Sequence, residues 1–115
     1  MDRNKGRDAI VAAYAREANT NKALDGDDVY HEQALARAGT FMWQAEGDKP
    51  DQPDKWPADD FAWKPSTRRK NLINAGVFFR AAIRLASKIN HAHKVHKYRK
   101  CLSKIEKEID HLDGV

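Results

Sequence analysis

Between Trp63 and Ile89 the chain reads WKPSTRRKNLINAGVFFRAAIRLASKI, and this stretch leaves little choice of fold. The Lys64-Pro65 pair disfavours helix before it, and Ser66 or Thr67 then offers a side-chain oxygen to the first free N–H groups, so a helix is expected from about Ser66. From Leu72 the apolar residues recur at steps of three and four: Leu72, Ala75, Phe79, Ala82, Ala86 and Ile89, with Ile73, Val77, Phe78, Ile83 and Leu85 widening the stripe. Such a helix needs cover on most sides. Its polar remainder is mainly Arg69, Arg80, Arg84, Ser87, Lys88 and His91, and the steps 80, 84, 88 set three cations along one line.

The covering elements are read from the rest of the chain. A first helix is expected over about 7–19, after Gly6, with Ala9, Ile10, Ala13, Tyr14 and Ala18 on one face and a stop at Asn19-Thr20-Asn21. A second, over about 28–46, has candidate caps at Asp27 and Asp28 and an apolar stripe of Ala34, Leu35, Ala38, Phe41, Met42 and Ala45. Gly39 interrupts it at a cost of about 1 kcal/mol against Ala, which implies a packing reason. Ala38-Gly39-Thr40-Phe41-Met42 matches Ala75-Gly76-Val77-Phe78-Phe79, so the two small pairs are expected to meet at a close crossing. Residues 47–65 hold all four prolines and no helical period; they form a long loop pinned by Trp56, Phe61 and Trp63, with the Asp48–Asp54 portion solvated. The other reading of those rings is a stacking platform for a base.

The central helix is expected over about 66–90 and a further one over about 93–112. Val95, Tyr98, Leu102, Ile105, Ile109 and Leu112 form a narrow seam there, out of register with the stripe before Ile89. Either the chain turns near Asn90–His93 into an antiparallel fourth helix, or one long helix presents a second face, as in a homodimer through that seam. The fold class is all-α: one domain, 1–115, a small bundle of three or four helices with a long Pro/Trp-containing loop. A chain of 115 residues buries roughly two thirds of its unfolded surface, enough for one core without staples. The single cysteine, Cys101, excludes an internal disulfide. No basic start with an apolar core is seen at the N-terminus and no run of 18 apolar residues occurs anywhere, so a cytoplasmic protein without membrane contact is expected.

Charge is distributed unevenly. Residues 1–60 carry 8 Lys/Arg against 13 Asp/Glu, residues 61–105 carry 12 Lys/Arg and no acid, and residues 106–115 carry 1 against 4. A 45-residue segment without a carboxylate implies an anionic macromolecular partner, either nucleic acid or an acidic protein face, unless the acidic half folds back and neutralises it. The candidate partner-binding residues are Arg69, Arg80, Arg84, Lys88, Lys94, Lys97, Arg99 and Lys100.

Two constellations invite a metal. His91, His93 and His96 lie among cations, only His93 and His96 share a helical face, and no carboxylate or thiolate joins them; they read as part of the basic face. Asp27, Asp28, His31 and Glu32 place carboxylates one turn apart, as in helical nucleotide pyrophosphohydrolases that hold Mg²⁺, but the second acidic pair such enzymes use is missing from the central helix, and helix capping explains the aspartates. There is no glycine-rich phosphate loop, no nucleophile-and-base order and no zinc spacing, so no catalytic residue and no cofactor are assigned.

DDVYHEQALARAG, a WP…WKP loop and RRKNLINAGVFFRAAIRL together resemble a family of small uncharacterised proteins of tailed phages and prophages, over residues 27–85. Arginines stand where that family usually has an acidic A-E-I-x-R-L ending, and the basic C-terminal extension is peculiar to this chain. The resemblance implies a phage accessory role in the host cytoplasm, such as inhibition of host defence, and carries no catalytic residue. The function expected is therefore binding of an anionic partner; the alternatives are Mg²⁺-dependent nucleotide hydrolysis and a self-assembling helical module.

Overall fold

Four α-helices and no strand make up the residues described by the computed structural model, 5–20, 24–26 and 28–114. They are α1 (Lys5–Thr20), α2 (Val29–Gln44), α3 (Arg68–Lys88) and α4 (Ala92–Leu112). The apolar stripe that begins at Leu72 belongs to α3, which packs against all three other helices, while α1 also lies along α4. The stripe is covered along most of its length: Leu72, Ala75, Phe79, Ala82 and Ala86, with Leu85 beside them, are essentially inaccessible to water, and Ile89 at its end is half-buried. Among the described residues no helix is long and apolar enough to cross a membrane.

Helix starts follow local chemistry. Thr67 caps α3 by accepting from the Lys70 N–H at 3.1 Å, and Asp28 caps α2 by accepting from the His31 N–H at 2.8 Å. Asp27, the other expected cap, lies outside the described residues. The first helix starts earlier than expected, at Lys5, because Gly6 is used inside it rather than before it. The Gly6 N–H donates to an Asp110 carboxylate oxygen at 2.7 Å, and a Cβ placed there would lie 2.3 Å from the Glu106 carbonyl oxygen. Glycine at this position lets α1 press its backbone against α4.

The expected meeting of two small pairs is only half realised. Gly39 does face α3, with the Phe79 ring 2.9 Å from where its Cβ would be, but Gly76 turns toward α1 and forms the socket for Ile10. A Cβ on Gly76 would fall 2.4 Å from the Ile10 Cδ1, and Ile10 is itself fully buried. The two glycines therefore seat different helices on α3. They do not mark one crossing.

The junction of α3 and α4 is a turn. Asn90 has φ 63°, the left-handed conformation that asparagine tolerates better than most residues, and it is flanked by two closing bonds: His91 N–H to the Ala86 carbonyl at 2.8 Å and Asn90 N–H to the Ser87 carbonyl at 3.3 Å. This pairing is the Schellman arrangement, which satisfies two of the carbonyls left over at a helix end. The chain then returns as α4 along α3, a fourth helix and not a continuation of α3. Tyr98, Leu102, Ile105 and Ile109 are buried within the chain, Val95 is half-buried and only Leu112, 51% exposed, projects outward. Within the chain that seam is covered by the bundle.

The loop before α3 is pinned by its aromatic residues, while residues 48–52 and Asp54 are exposed as expected. Trp56 and Phe61 are buried, the Trp56 indole donates to the Phe61 carbonyl at 2.7 Å, and its ring packs edge-on to Trp63 at 4.9 Å. Trp63 donates back to the Pro50 carbonyl at 2.9 Å, so the proline-rich first half is tied as well. Phe61 and Trp56 bury their rings against α3 through Phe78, which makes them core and leaves no open ring faces for a base. Asn71, fully buried, holds the base of the loop: its amide group is shared among the carbonyls of Ala45, Gly47 and Ser66, and its oxygen accepts from the Ser66 N–H at 2.7 Å.

Candidate anion-binding surface

With its seam turned inward, α4 must present its opposite side to solvent. Positions 93, 97, 100, 104, 107 and 111 follow one another at steps of three and four, and His93, Lys97, Lys100, Lys104, Lys107 and His111 are all exposed. The four lysines span about 15 Å at 1.5 Å per residue. Lys94 flanks this row toward α2 and is half-buried; His96 and Arg99 flank it on the other side and are exposed. No carboxylate occurs on any face of α4 before Glu106.

The arginines of α3 are differently employed. Arg69 grips Asp113 with two bonds, 2.8 and 2.9 Å, and this pairing holds the Asp113 carboxyl below its ordinary range and pushes the guanidinium still higher. Arg84 meets Asp25 at 2.9 Å. Arg80 lies over the Tyr14 ring, 5.8 Å from its centroid, and Lys88 is exposed. Neutralisation by the acidic parts of the chain is thus real but selective: among the described residues it takes Arg68, Arg69 and Arg84 of α3 and no lysine or arginine of α4.

Two concave features border the α4 face. On the α1 and α3 side, Tyr14, Arg80, Ile83, Arg84, Arg99 and Leu102 line a groove of ≈ 330 Å³, so three of the expected binding residues converge there. On the α2 side, Arg37, Lys94 and Lys97 border a smaller groove of ≈ 230 Å³ together with Cys101, which is half-buried. Arg69 stands apart from both.

The two constellations that invite a metal meet each other instead. Glu32 is fully buried, with one oxygen accepting from the Tyr98 hydroxyl at 3.0 Å and the other 2.8 Å from His91 Nδ1. Burial and the bond to Glu32 push the Tyr98 hydroxyl far above its ordinary pKa of 10.0. Asp28 is occupied as a cap, and the His31 ring lies beside Phe61 at 6.1 Å. Among the described residues no three His, Cys, Asp or Glu side chains are grouped so as to hold a metal ion.

Residues outside the expected set also matter. Arg68 donates to the carbonyls of Trp43 and Ala45 and pairs with Glu108 at 3.2 Å, and the same Glu108 oxygen accepts from the Trp43 indole at 3.0 Å. Lys104 and Lys107 extend the lysine row, a continuation that the 97, 100 spacing already contained in the sequence. Arg37 could be assigned to the α4 side only once α2 was placed beside it. Comparison of the chain with protein-family models, with curated proteins and with solved structures finds no match.

Proposed function

We propose that this protein binds nucleic acid through the outward face of α4 and does so without catalysis. The observation that carries the reading is the contrast between cations: Lys97, Arg99, Lys100 and Lys104 are exposed on a helix segment without carboxylates and, among the described residues, none of them forms a salt bridge, whereas Arg68, Arg69 and Arg84 all do. A row of lysines contacts phosphates as point charges and carries little base information, so the expected binding is weakly selective for sequence. Nucleotide hydrolysis at Asp28, His31 and Glu32 loses support, since Glu32 is buried and committed to Tyr98 and His91. On the resemblance to small tailed-phage proteins alone, we extend the proposal to an accessory role in a host cytoplasm, directed at host nucleic acid or at a defence complex that handles it.

A titration of labelled DNA or RNA at several salt concentrations tests it. Each phosphate neutralised contributes roughly 0.7 (single strand) to 0.9 (duplex) to the slope of log affinity against log salt, so three or more contacts are expected to give a slope of about −2 or steeper. Replacing Lys97, Lys100 and Lys104 with Gln should flatten that slope while the helical circular dichroism is unchanged. Absence of binding at about 50 mM salt, where such contacts are strong, would overturn the reading. A shallow slope with a pure acidic protein, and none with nucleic acid, would move it to a protein partner.

A further inference from the structure

The groove between α1, α3 and α4 differs from the lysine row beside it in chemistry. Its rim is three guanidinium groups, Arg80, Arg84 and Arg99; its walls are the Tyr14 ring, Ile83 and Leu102; and among the described residues no carboxylate lines it. Arg80 is laid over Tyr14, so a planar cation already stands against an aromatic face at the edge of the recess. At ≈ 330 Å³ the groove lies at the lower end of the range for ligand pockets, about 300 to 1,000 Å³, and suits one nucleotide-sized group. Guanidinium forks match phosphate oxygens in pairs, while an apolar wall with an aromatic side chain suits the face of a base.

We propose that this groove takes one unstacked nucleotide of a single strand, its phosphate held by Arg80, Arg84 and Arg99 and its base laid against Tyr14, Ile83 and Leu102. A duplex keeps its bases stacked inside and can offer the groove only phosphates, so the recess favours single-stranded nucleic acid over double-stranded. Two carboxylates lie near the rim. Asp25 pairs with Arg84, but both side chains are more than half exposed, and a surface pair of this kind yields readily to a competing phosphate. Glu106 is half-buried and lies close enough to Arg80 and Arg7 to be influenced by both, whereas Arg99 forms no salt bridge among the described residues and is not among the cations acting on Glu106. Arg99 is therefore the position to test.

This inference rests on the nucleic-acid reading of the α4 face, and the experiment separates the two. Fluorescence anisotropy with a labelled oligothymidylate of about ten nucleotides and with a duplex of equal length, at one fixed salt concentration, should show at least tenfold tighter binding of the single strand by the wild-type chain. Arg99→Gln, at an exposed site where folding is not at stake, should reduce single-strand affinity at least tenfold and duplex affinity less than threefold. The Lys97, Lys100 and Lys104 to Gln variant should weaken both by a similar factor. Equal affinity for the two forms, or an Arg99→Gln loss shared equally between them, overturns the groove proposal and leaves the α4 reading standing. If neither nucleic acid binds, the α4 reading fails, and a titration of thymidine monophosphate followed on the Tyr14 ring resonances decides the groove by itself: saturable shifts that Arg99→Gln removes support it, and unchanged resonances overturn it.

Discussion

Glu32 has no access to water and both of its oxygens are engaged, so its contribution belongs to the interior. Truncation to Ala would leave the buried Tyr98 hydroxyl without an acceptor and open a cavity, a combination expected to lower stability by about 3 kcal/mol. Glu32→Gln keeps an oxygen for Tyr98 and offers an amide to whichever His91 nitrogen state can accept it, so a loss of only about 1 kcal/mol is expected; Tyr98→Phe should fall between them at about 2 kcal/mol. Urea unfolding midpoints measured on the three variants check the order. If Gln is as damaging as Ala, the negative charge beside His91 is the essential feature. Glu106 supplies the opposite case. Burial raises its carboxyl above the ordinary glutamate value of 4.5, outweighing the lowering by Arg7 and Arg80. The folded chain therefore holds that proton more tightly than the unfolded chain, and stability falls as pH rises from the ordinary value through the folded one. Glu106→Gln is expected to raise the melting temperature at pH 7, with the gain shrinking at acid pH where the wild-type group is already protonated; a gain independent of pH would point to packing instead.

At the scale of elements, the sequence was most informative where one helix carries an unambiguous period. The α3 stripe and its Thr67 cap were legible because each depends on residues close in the chain, and the loop's aromatic anchors because such large side chains need burial wherever they find it. The destination of Gly76 was not, since small residues announce close approach without naming the approaching helix, and only the fold shows Ile10 of α1 in that socket. The start of α1 was likewise hidden, because the reason for a helical Gly6 lies more than a hundred residues away in α4. Asn90 stands between these cases: a change of apolar phase located the break, and the left-handed residue explains why the chain reverses there. Asn90→Gly should be neutral or slightly stabilising, since glycine enters this conformation without a steric penalty, whereas Asn90→Val should lose about 1–2 kcal/mol. Thermal unfolding distinguishes them, and a Val variant as stable as the wild type would mean that the turn is not held in that conformation in solution.

For the molecule as a whole, what matters is which of its charges find each other. The sequence showed an acidic half and a carboxylate-free segment, but it could not show which cations the acids would reach. The fold sends Asp25 and Asp113 to the α3 arginines Arg84 and Arg69 and sends Glu32 to His91, while the lysine row on α4 forms no salt bridge among the described residues, its favourable neighbours at helical spacing being Glu108 after Lys104 and Asp110 after Lys107. Of the candidate binding residues, Lys97, Arg99 and Lys100 form no salt bridge among the described residues, while Arg69 pairs with Asp113 at the end of α4. That arrangement carries a stability cost. Lys97 with Lys100, Lys100 with Lys104, and Lys104 with Lys107 are like-charge pairs at helical spacings of three and four, each unfavourable by roughly 0.2–0.5 kcal/mol at low salt. Lys100→Gln together with Lys104→Gln removes all three without touching a salt bridge of the described chain, gives up only the favourable spacing of Lys104 and Glu108, and should stabilise the protein by roughly 0.5–1 kcal/mol at low salt. Screening over a Debye length of about 10 Å at 0.1 M and about 3 Å at 1 M means that the gain should fade as salt is added. The same double variant is expected to bind nucleic acid more weakly, with about two fewer phosphate contacts in its salt slope. A chain that becomes more stable as it loses affinity has been keeping repulsion for the sake of a partner. Melting temperatures and binding titrations of this variant at low and high salt check both halves together, and a variant that is no more stable at low salt would show the lysine row to be an ordinary solvated face.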